Sequence, residues 1–292
     1  MSTTTRAAAE ERAGVLIEAL PYIQRFRDRT IVVKFGGNAM VDPALATSFA
    51  QDVVLMRSVG LRPVVVHGGG PQISALMERL GMVPEFVDGH RVTDAETVDI
   101  ARMVLVGKVN REIVGAINVH GPLAVGVSGE DAGLILAEAR HPDLGFVGDV
   151  HTVNPAILER LLAEALIPVV STIGADASGQ AYNINADAVA GALSESLSAE
   201  KVIYLTDIEG LLADVADPAS LISRIDAPTL QALVDDGTVR GGMIPKITAC
   251  LHAVAHGVGS AHLLDGRRPH VVLLELFSDA GVGTMITAEV HP

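Results

Sequence analysis

The chain reads as an α/β protein, with a mainly parallel sheet held between two helical layers in an open αβα sandwich. Three observations carry that expectation. Short β-rich apolar runs alternate with segments of helical periodicity. Hydrophobic residues make up 49% of the chain, mostly Ala, Val, Leu and Ile, and only 3% is aromatic, which suits buried parallel strands under small-residue helices. Two of the runs end in glycine clusters, at the strand ends where open α/β sheets bind ligands. At 292 residues there is material for one large domain or two moderate ones.

Residues 6–28 form an amphipathic pattern in which Leu16, Leu20 and Ile23 share a stripe with Ala19 and Phe26 beside it. Pro21 falls inside it and predicts a kink or split. The alternation then begins. Residues 30–37 predict a strand ending in glycines, and a helix follows over about 43–59, opened by Asp42 and Pro43. A second such strand spans 62–70, followed by a helix beginning at Pro71. Residues 94–120 read as one long helix, 123–129 as a strand, and 134–154 as a polar hairpin. PAILERLLAEAL is helical, 167–174 a strand, and NINADAVAGALSESL a helix with Asn and Asp in its first turn. Residues 201–210 form another strand, and 226–237 and 244–257 are helical. AHLLDG and HVVLLELF read as two further strands. The helix near Asp187–Ser198 is the expected boundary between lobes 30–195 and 196–292, with 1–29 as an appended helix.

Composition excludes several classes. A formal charge of −14 without a basic stripe argues against nucleic acid. No uncharged apolar run approaches the roughly 20 residues of a membrane helix, and Glu10 and Glu11 spoil the N-terminus as a leader, so a soluble cytoplasmic protein is expected. The single cysteine, Cys250, excludes a disulfide framework.

Familiar site motifs are missing. Gly107-Lys108 is followed by Val109, so no Walker-type loop exists, and no G-x-G-x-x-G follows a strand. Glu130 stands where a nucleophile elbow after Ser128 needs glycine. His252 and His256 lie four apart on a helix with no neighbouring Glu or Cys ligand in sequence. What remains are two strand ends, Lys34-Phe35-Gly36-Gly37 and His67-Gly68-Gly69-Gly70. Glycines there expose N–H groups beside a helix N-terminus, an anion-binding arrangement, though glycine also simply makes tight turns. Lys34 favours the anion, because a lysine closing an apolar strand is costly to bury unpaired. Downstream lie Gly89–Thr93, Asn183–Asp187 and Gly241–Lys246. Each has a bland alternative: a surface arginine, a helix cap, a turn before an exposed lysine.

Taken in order, VVKFGGNAM, VVVHGGGPQI, GHRVT, VGVSGEDAGL, NINAD, LTDIEGL and GGMIPK resemble the amino-acid kinase superfamily and, within it, the N-acetylglutamate kinases, from about Thr30 to Ile286. The resemblance implies that Mg-ATP and N-acetyl-L-glutamate are the substrates. It places acetylglutamate over the first lobe and ATP over the second. Lys34 and Lys246 would flank the transferring phosphoryl group, with Asp187 holding both. Gly69, Gly70, Arg91 and Asn183 would bind acetylglutamate. Gly36, Gly37, Thr206, Asp207 and Met243 would serve the nucleotide or its phosphates, with Mg²⁺ carried by ATP and no dedicated metal site. His67 would orient its glycine loop or pack beneath it. The N-terminal helix and the tail resemble the arginine-sensitive group, a hexameric trimer of dimers, and put Tyr22, Lys201, His262, Glu275 and Gly281 on the effector positions. Another carboxylate or carbamate kinase, or a non-catalytic arginine or nucleotide sensor, would be the alternatives on this fold.

Overall fold

The computed structural model describes residues 6–87, 89–214, 217–239, 243–279 and 281–289. Helix α1 runs over Arg6–Phe26, strand β1 over Thr30–Phe35 and α2 over Pro43–Ser58, capped by Asp42, whose carboxylate accepts from the Ala44 and Leu45 N–H groups. Then come β2 (Arg62–His67), α3 (Gly70–Arg79) and the small ribbon β3 (Phe86–Val87) with β4 (His90–Arg91). Helix α4 (Ala95–Arg102) passes through a π-helical segment, Met103–Val109, into α5 (Asn110–Asn118). Strands β5 (Ala124–Ser128), β6 (Ile135–Ala139) and β7 (Val147–Val153) follow, then α6 (Ala156–Ala163). Strands β8 (Ile167–Ser171), β9 (Ile173–Ala175) and β10 (Ala181–Ile184) lead into α7 (Ala186–Ser196). The remainder comprises β11 (Lys201–Thr206), β12 (Arg224–Asp226), α8 (Ala227–Asp235), α9 (Ile244–Ala255), β13 (Ser260–Asp265), α10 (Val271–Phe277) and β14 (Thr284–Thr287).

Eight strands form one sheet in the order β12-β14-β13-β11-β1-β2-β8-β5. From β5 to β13 all neighbours are parallel, while β14 runs antiparallel to β13 and carries β12 with it. Strand β1 sits where the order reverses: β2 pairs on one side and β11 on the other. A crevice opens beyond the carboxyl ends of strands at such a point. The short strands β6, β7, β9 and β10 close a separate small barrel beside it.

Side-chain alternation along β1 determines what each face buries. Ile31, Val33 and Phe35 enter the core shared with α2, the α4–α5 helix and α10. Val32 enters the second core, which includes Val189, Ala190 and Leu193 of α7 and Ile247 and Cys250 of α9. Lys34, one pleat beyond Val32, therefore emerges on the α7–α9 face.

Three expectations change. The run HVVLLELF is helical from Val271 and not a strand, because so short a run, apolar except for one Glu, fits either periodicity. Here Val271, Val272 and Leu276 face the core, and the antiparallel position beside β13 goes to β14. The long helix expected over 94–120 carries the wide π segment at its centre. Helix α1 continues through Pro21 without splitting. Its apolar stripe is buried only near its end: Phe26 is 3% exposed, whereas Leu16 is 70% and Leu20 43% exposed. Gly241 and Gly242 lie outside the described residues. Among the described residues no helix is long and apolar enough to cross a membrane.

Leu193 is fully buried where α7 meets the sheet. Leu193→Ala should lower unfolding free energy by about 2–5 kcal/mol in urea titrations. A loss under about 0.5 kcal/mol would mean that this face is not packed as described.

Candidate active site

The carboxyl ends of β1 and β2, the Arg91 ribbon and the first turns of α7 and α9 surround a cavity of about 320 Å³. Lys34, Gly36, Gly37, Gly69, Gly70, Arg91, Asn183, Asp187 and Lys246 all line it. The sequence scatters these nine residues over more than 200 positions, and the fold brings them together.

At its base Asp187 stands between two lysines. Its Oδ1 lies 3.0 Å from Lys34 Nζ and its Oδ2 2.9 Å from Lys246 Nζ. The carboxylate and Lys34 are almost fully buried, and Lys246 is one quarter exposed. Burial alone would raise the Asp187 pKa, but the Lys34 and Lys246 ammonium groups outweigh it and hold the carboxyl below its ordinary range. Asn185 supplies the local structure: its side chain caps α7 by accepting from the Asp187 and Ala188 N–H groups. Capping thus explains Asn185, while Asn183 and Asp187 are left facing the cavity.

Arg91 is buried, and burial draws its guanidinium pKa down. Its Nη2 donates to the Gly70 carbonyl at 3.0 Å and to Ser74 Oγ at 2.8 Å, and the guanidinium carbon sits 4.7 Å from the Phe86 ring centroid. These contacts orient the fork and leave further N–H donors for a ligand. Sequence reasoning missed Ser74 and Phe86. The lone signal for them was proximity to the glycine loop and to Arg91.

The glycine loops are shaped from below. His67 is fully buried; its Nδ1 lies 2.9 Å from the Gly68 carbonyl and its Nε2 3.1 Å from Asn110 Nδ2. A carbonyl only accepts and an amide nitrogen only donates, so the neutral ring carries its hydrogen on Nδ1. With the Gly68 carbonyl drawn to His67, the antiparallel N–H of the same trans peptide, that of Gly69, which lines the cavity, points the other way. No described residue accepts from it. Asn110 is fixed in turn by donating to the Val169 carbonyl at 2.8 Å. A β-carbon at Gly69 would come within 2.7 Å of the Leu105 side chain in the π segment, so Leu105 or the loop would have to shift to admit one. At Gly37 the backbone has φ +68, and a β-carbon would meet the Asp207 carboxylate.

Of the residues expected at the nucleotide, Asp207 stands against Gly37. Thr206 is buried and its hydroxyl closes the turn by accepting from the Ile208 N–H. Met243 precedes α9, three residues before Lys246, and packs against the second core. None of Thr206, Asp207 and Met243 lines the cavity.

A second cluster joins three of the five residues expected at an effector site, Lys201, His262 and Glu275. Lys201 Nζ lies 2.9 Å from His262 Nε2, and His262 Nδ1 lies 2.8 Å from Glu275 Oε1. Glu275 Oε2 accepts from the Val282 N–H, next to Gly281, at 3.2 Å. Tyr22 hydrogen-bonds Asp279, and Lys201 Nζ sits 5.4 Å from the Phe26 ring centroid. Burial lowers the Lys201 pKa to about 8 and the His262 pKa to about 4. His262 is thus neutral and passes a hydrogen-bond chain from ammonium to carboxylate.

A family model for the amino acid kinase family matches residues 29–265. The acetylglutamate kinase of Saccharopolyspora erythraea is 56% identical over 287 residues, 96% of this chain and 94% of that one. The acetylglutamate kinase of Nostoc sp. is 53% identical over 282 residues, 96% of this chain and 95% of that one. The N-acetylglutamate synthase from Neisseria gonorrhoeae, solved with coenzyme A and N-acetyl-glutamate, superposes with a TM-score of 0.83 at 25% identity. That match covers 96% of this chain but 64% of the longer synthase. The carbamate kinase from Giardia lamblia bound to AMP-PNP shares the fold, with a TM-score of 0.67 at 17% identity over 90% of this chain and 99% of that one.

The His67 pKa is lowered by burial to about 4. The unfolded ring binds its proton near pH 6.5, so acid favours the unfolded chain, and this contribution to stability falls as pH drops from about 6.5 to about 4. His67→Gln, which cannot titrate, should remove up to about 1.4 kcal/mol per pH unit of that dependence. Urea titrations of parent and variant at pH 7 and pH 5 check this, and identical slopes would contradict it.

Proposed function

The chain belongs to the amino acid kinase family, and from that premise we propose that it transfers the γ-phosphoryl group of ATP to the side-chain carboxylate of N-acetyl-L-glutamate, in arginine biosynthesis. The observation that carries the reading is the Lys34–Asp187–Lys246 bridge at the floor of a cavity that also holds Arg91 and two glycine loops. Relatives above 50% identity over nearly the full length are acetylglutamate kinases, which supports this acceptor over a carbamate.

The acceptor carboxylate is already ionised at neutral pH and needs no general base. One of its oxygens forms a bond to the γ-phosphorus while the bond from that phosphorus to the bridging oxygen breaks. The electron pair leaves with ADP, the product is an acyl phosphate, and no proton moves. The chain has to bring two anions together and stabilise charge on the migrating group. Lys34 and Lys246 do this from two directions, and the Gly37 and Gly69 N–H groups donate to phosphoryl oxygens. Arg91 grips a carboxylate of the acceptor, with Gly70 and Asn183 beside it. Asp207 and Met243 lie on the nucleotide side with Gly36 and Thr206, and Mg²⁺ arrives with ATP, held mainly through water. Residues 30–195 carry the acceptor and residues 196–292 the nucleotide. The enzyme works in the cytoplasm.

The Lys201–His262–Glu275 cluster favours a second role, feedback inhibition by L-arginine, with Glu275 taking a guanidinium or α-amino group and Tyr22 and Gly281 at the rim. The exposed row Val15, Leu16, Ile17 and Leu20 on α1 supports assembly through that helix, into a hexamer of three dimers.

ADP release with Mg-ATP should depend on N-acetyl-L-glutamate and not on glutamate, aspartate or carbamate. Lys34→Ala and Lys246→Ala should each lower kcat at least about 100-fold, the usual loss for one electrostatic stabiliser. Near-normal turnover in either folded variant would overturn the assignment.

Glu275→Gln should leave turnover intact and raise the arginine concentration for half-inhibition at least about tenfold, as expected for a lost charge-assisted hydrogen bond. Unchanged arginine sensitivity would remove Glu275 from the effector site.

A further inference from the structure

Away from the cavity, the far halves of α7 and α9 carry a group of side chains that the phosphoryl-transfer reading does not use. His252 on α9 and His256, which caps the C-terminus of that helix, lie one turn apart, so both project from the same side. Their rings stack at 4.0 Å between centroids and 24° between planes. His252 Nδ1 lies 2.6 Å from Glu195 Oε1 on α7, and His256 Nδ1 lies 2.7 Å from the His252 carbonyl. The sequence shows no acidic neighbour for this pair; Glu195 arrives from 57 residues away through helix packing.

Each Nδ1 faces an oxygen that can only accept, a carboxylate for His252 and a backbone carbonyl for His256. In the neutral imidazoles both hydrogens therefore sit on Nδ1, and both Nε2 atoms keep their lone pairs. A metal-ligating histidine is ordinarily held in this way, its second nitrogen donating to a carboxylate or a carbonyl that fixes tautomer and ring direction. One donor atom from each of Glu195, His252 and His256 lies within 4.8 Å of the others. Both histidines are exposed. Glu195 and His252 border an open groove of about 460 Å³ between the helices, with room for water ligands.

We propose that His252 and His256 bind one divalent transition-metal ion of the imidazole-preferring class, such as Zn²⁺, through their Nε2 atoms, with Glu195 as the outer carboxylate that orients His252. Imidazole donors suit Zn²⁺, Ni²⁺ and Cu²⁺, whereas Mg²⁺ requires oxygen ligands and keeps its waters. The site is therefore chemically distinct from the ion that accompanies ATP. The two ligands come from the end of α9 and its C-cap and their orienting partner from α7, so a bound ion ties together the two helices whose opposite ends carry Lys246 and Asp187.

The test is calorimetric titration of the metal-free protein with ZnCl₂ in millimolar MgCl₂, for the parent, His256→Ala and Glu195→Gln. The parent should saturate at one equivalent, unaffected by Mg²⁺. His256→Ala should weaken binding at least about 30-fold, and Glu195→Gln by about 10- to 100-fold, as for lost orienting partners. Both changes lie on exposed or half-buried surface, and circular dichroism checks that the variants fold. Absence of saturable binding to the parent, or equal affinity in His256→Ala, would overturn the proposal. So would long-range ¹H–¹⁵N spectra of the metal-free protein that put the hydrogen on Nε2 of either ring.

Discussion

The buried carboxylate of Asp187 is the constraint on which this structure turns. Two ammonium groups within about 3 Å of one carboxylate are close enough to each other that, without it, they would repel strongly in a low-dielectric site. Lys34 comes from the end of β1, Asp187 from the start of α7 and Lys246 from the start of α9. The bridge therefore forms only when the first strand and the two helices over it are docked. Breaking such a buried pair by removing one partner is costly, so the site's integrity and the packing of one face of the sheet cannot be separated. The trio and Arg91 give the cavity an excess of two positive charges among its described lining residues, inside a chain whose formal charge is −14. Screening over about 8–10 Å makes those near charges outweigh the distant ones.

Backbone groups share the electrostatic work, and they need aiming. The Asn110–His67–Gly68 chain does this from beneath β2, using a histidine kept neutral by burial. From the side, Leu105 and Val109 in the π segment press against Gly69. A π turn shifts the side chains that follow it relative to a regular helix, and such turns concentrate at functional sites. Here it lies against the Gly69 loop, whose N–H has no acceptor among the described residues.

Local signals made much of this legible. The β-branched runs that end in glycine marked β1 and β2, and Asp42 and Pro43 marked the start of α2. Lys34 announced its role because a lysine closing an apolar strand needs an anion. Where local signals were ambiguous, tertiary structure decided. HVVLLELF has no polar alternation to separate a buried strand from a short helix, and the antiparallel β14 settled the matter by taking the position beside β13. Partners distant in sequence carried no signal: Asn110 reaches His67 across 43 residues and Glu195 meets His252 across 57. Asn183, Asn185 and Asp187 looked alike as a capping cluster, but only Asn185 caps. The other two are turned into the cavity by the end of β10 and the first turn of α7.

The same alternation that separates the two cores separates the two buried charge networks. Lys201 is in register with Ile31 and Tyr204 with Lys34, so Lys201 emerges on the face of Ile31 while Lys34 emerges on the opposite one. The Lys201–His262–Glu275 chain lies against Phe26 and α10, and the Asp187 bridge lies under α7 and α9. Three residues of parallel strand separate their levels, on the order of 10 Å along the sheet, and the sheet itself stands between them. A ligand at the first network therefore touches no atom of the second. Any influence on phosphoryl transfer has to travel through a displacement of β1 against β11, or of the helices packed on them. Strands in a close-packed core move as units and not by gradual deformation. Control from that cluster would then act on the spacing between Lys34, carried by β1, and the helix pair carrying Asp187 and Lys246, which is the geometry that the proposed phosphoryl transfer would depend on.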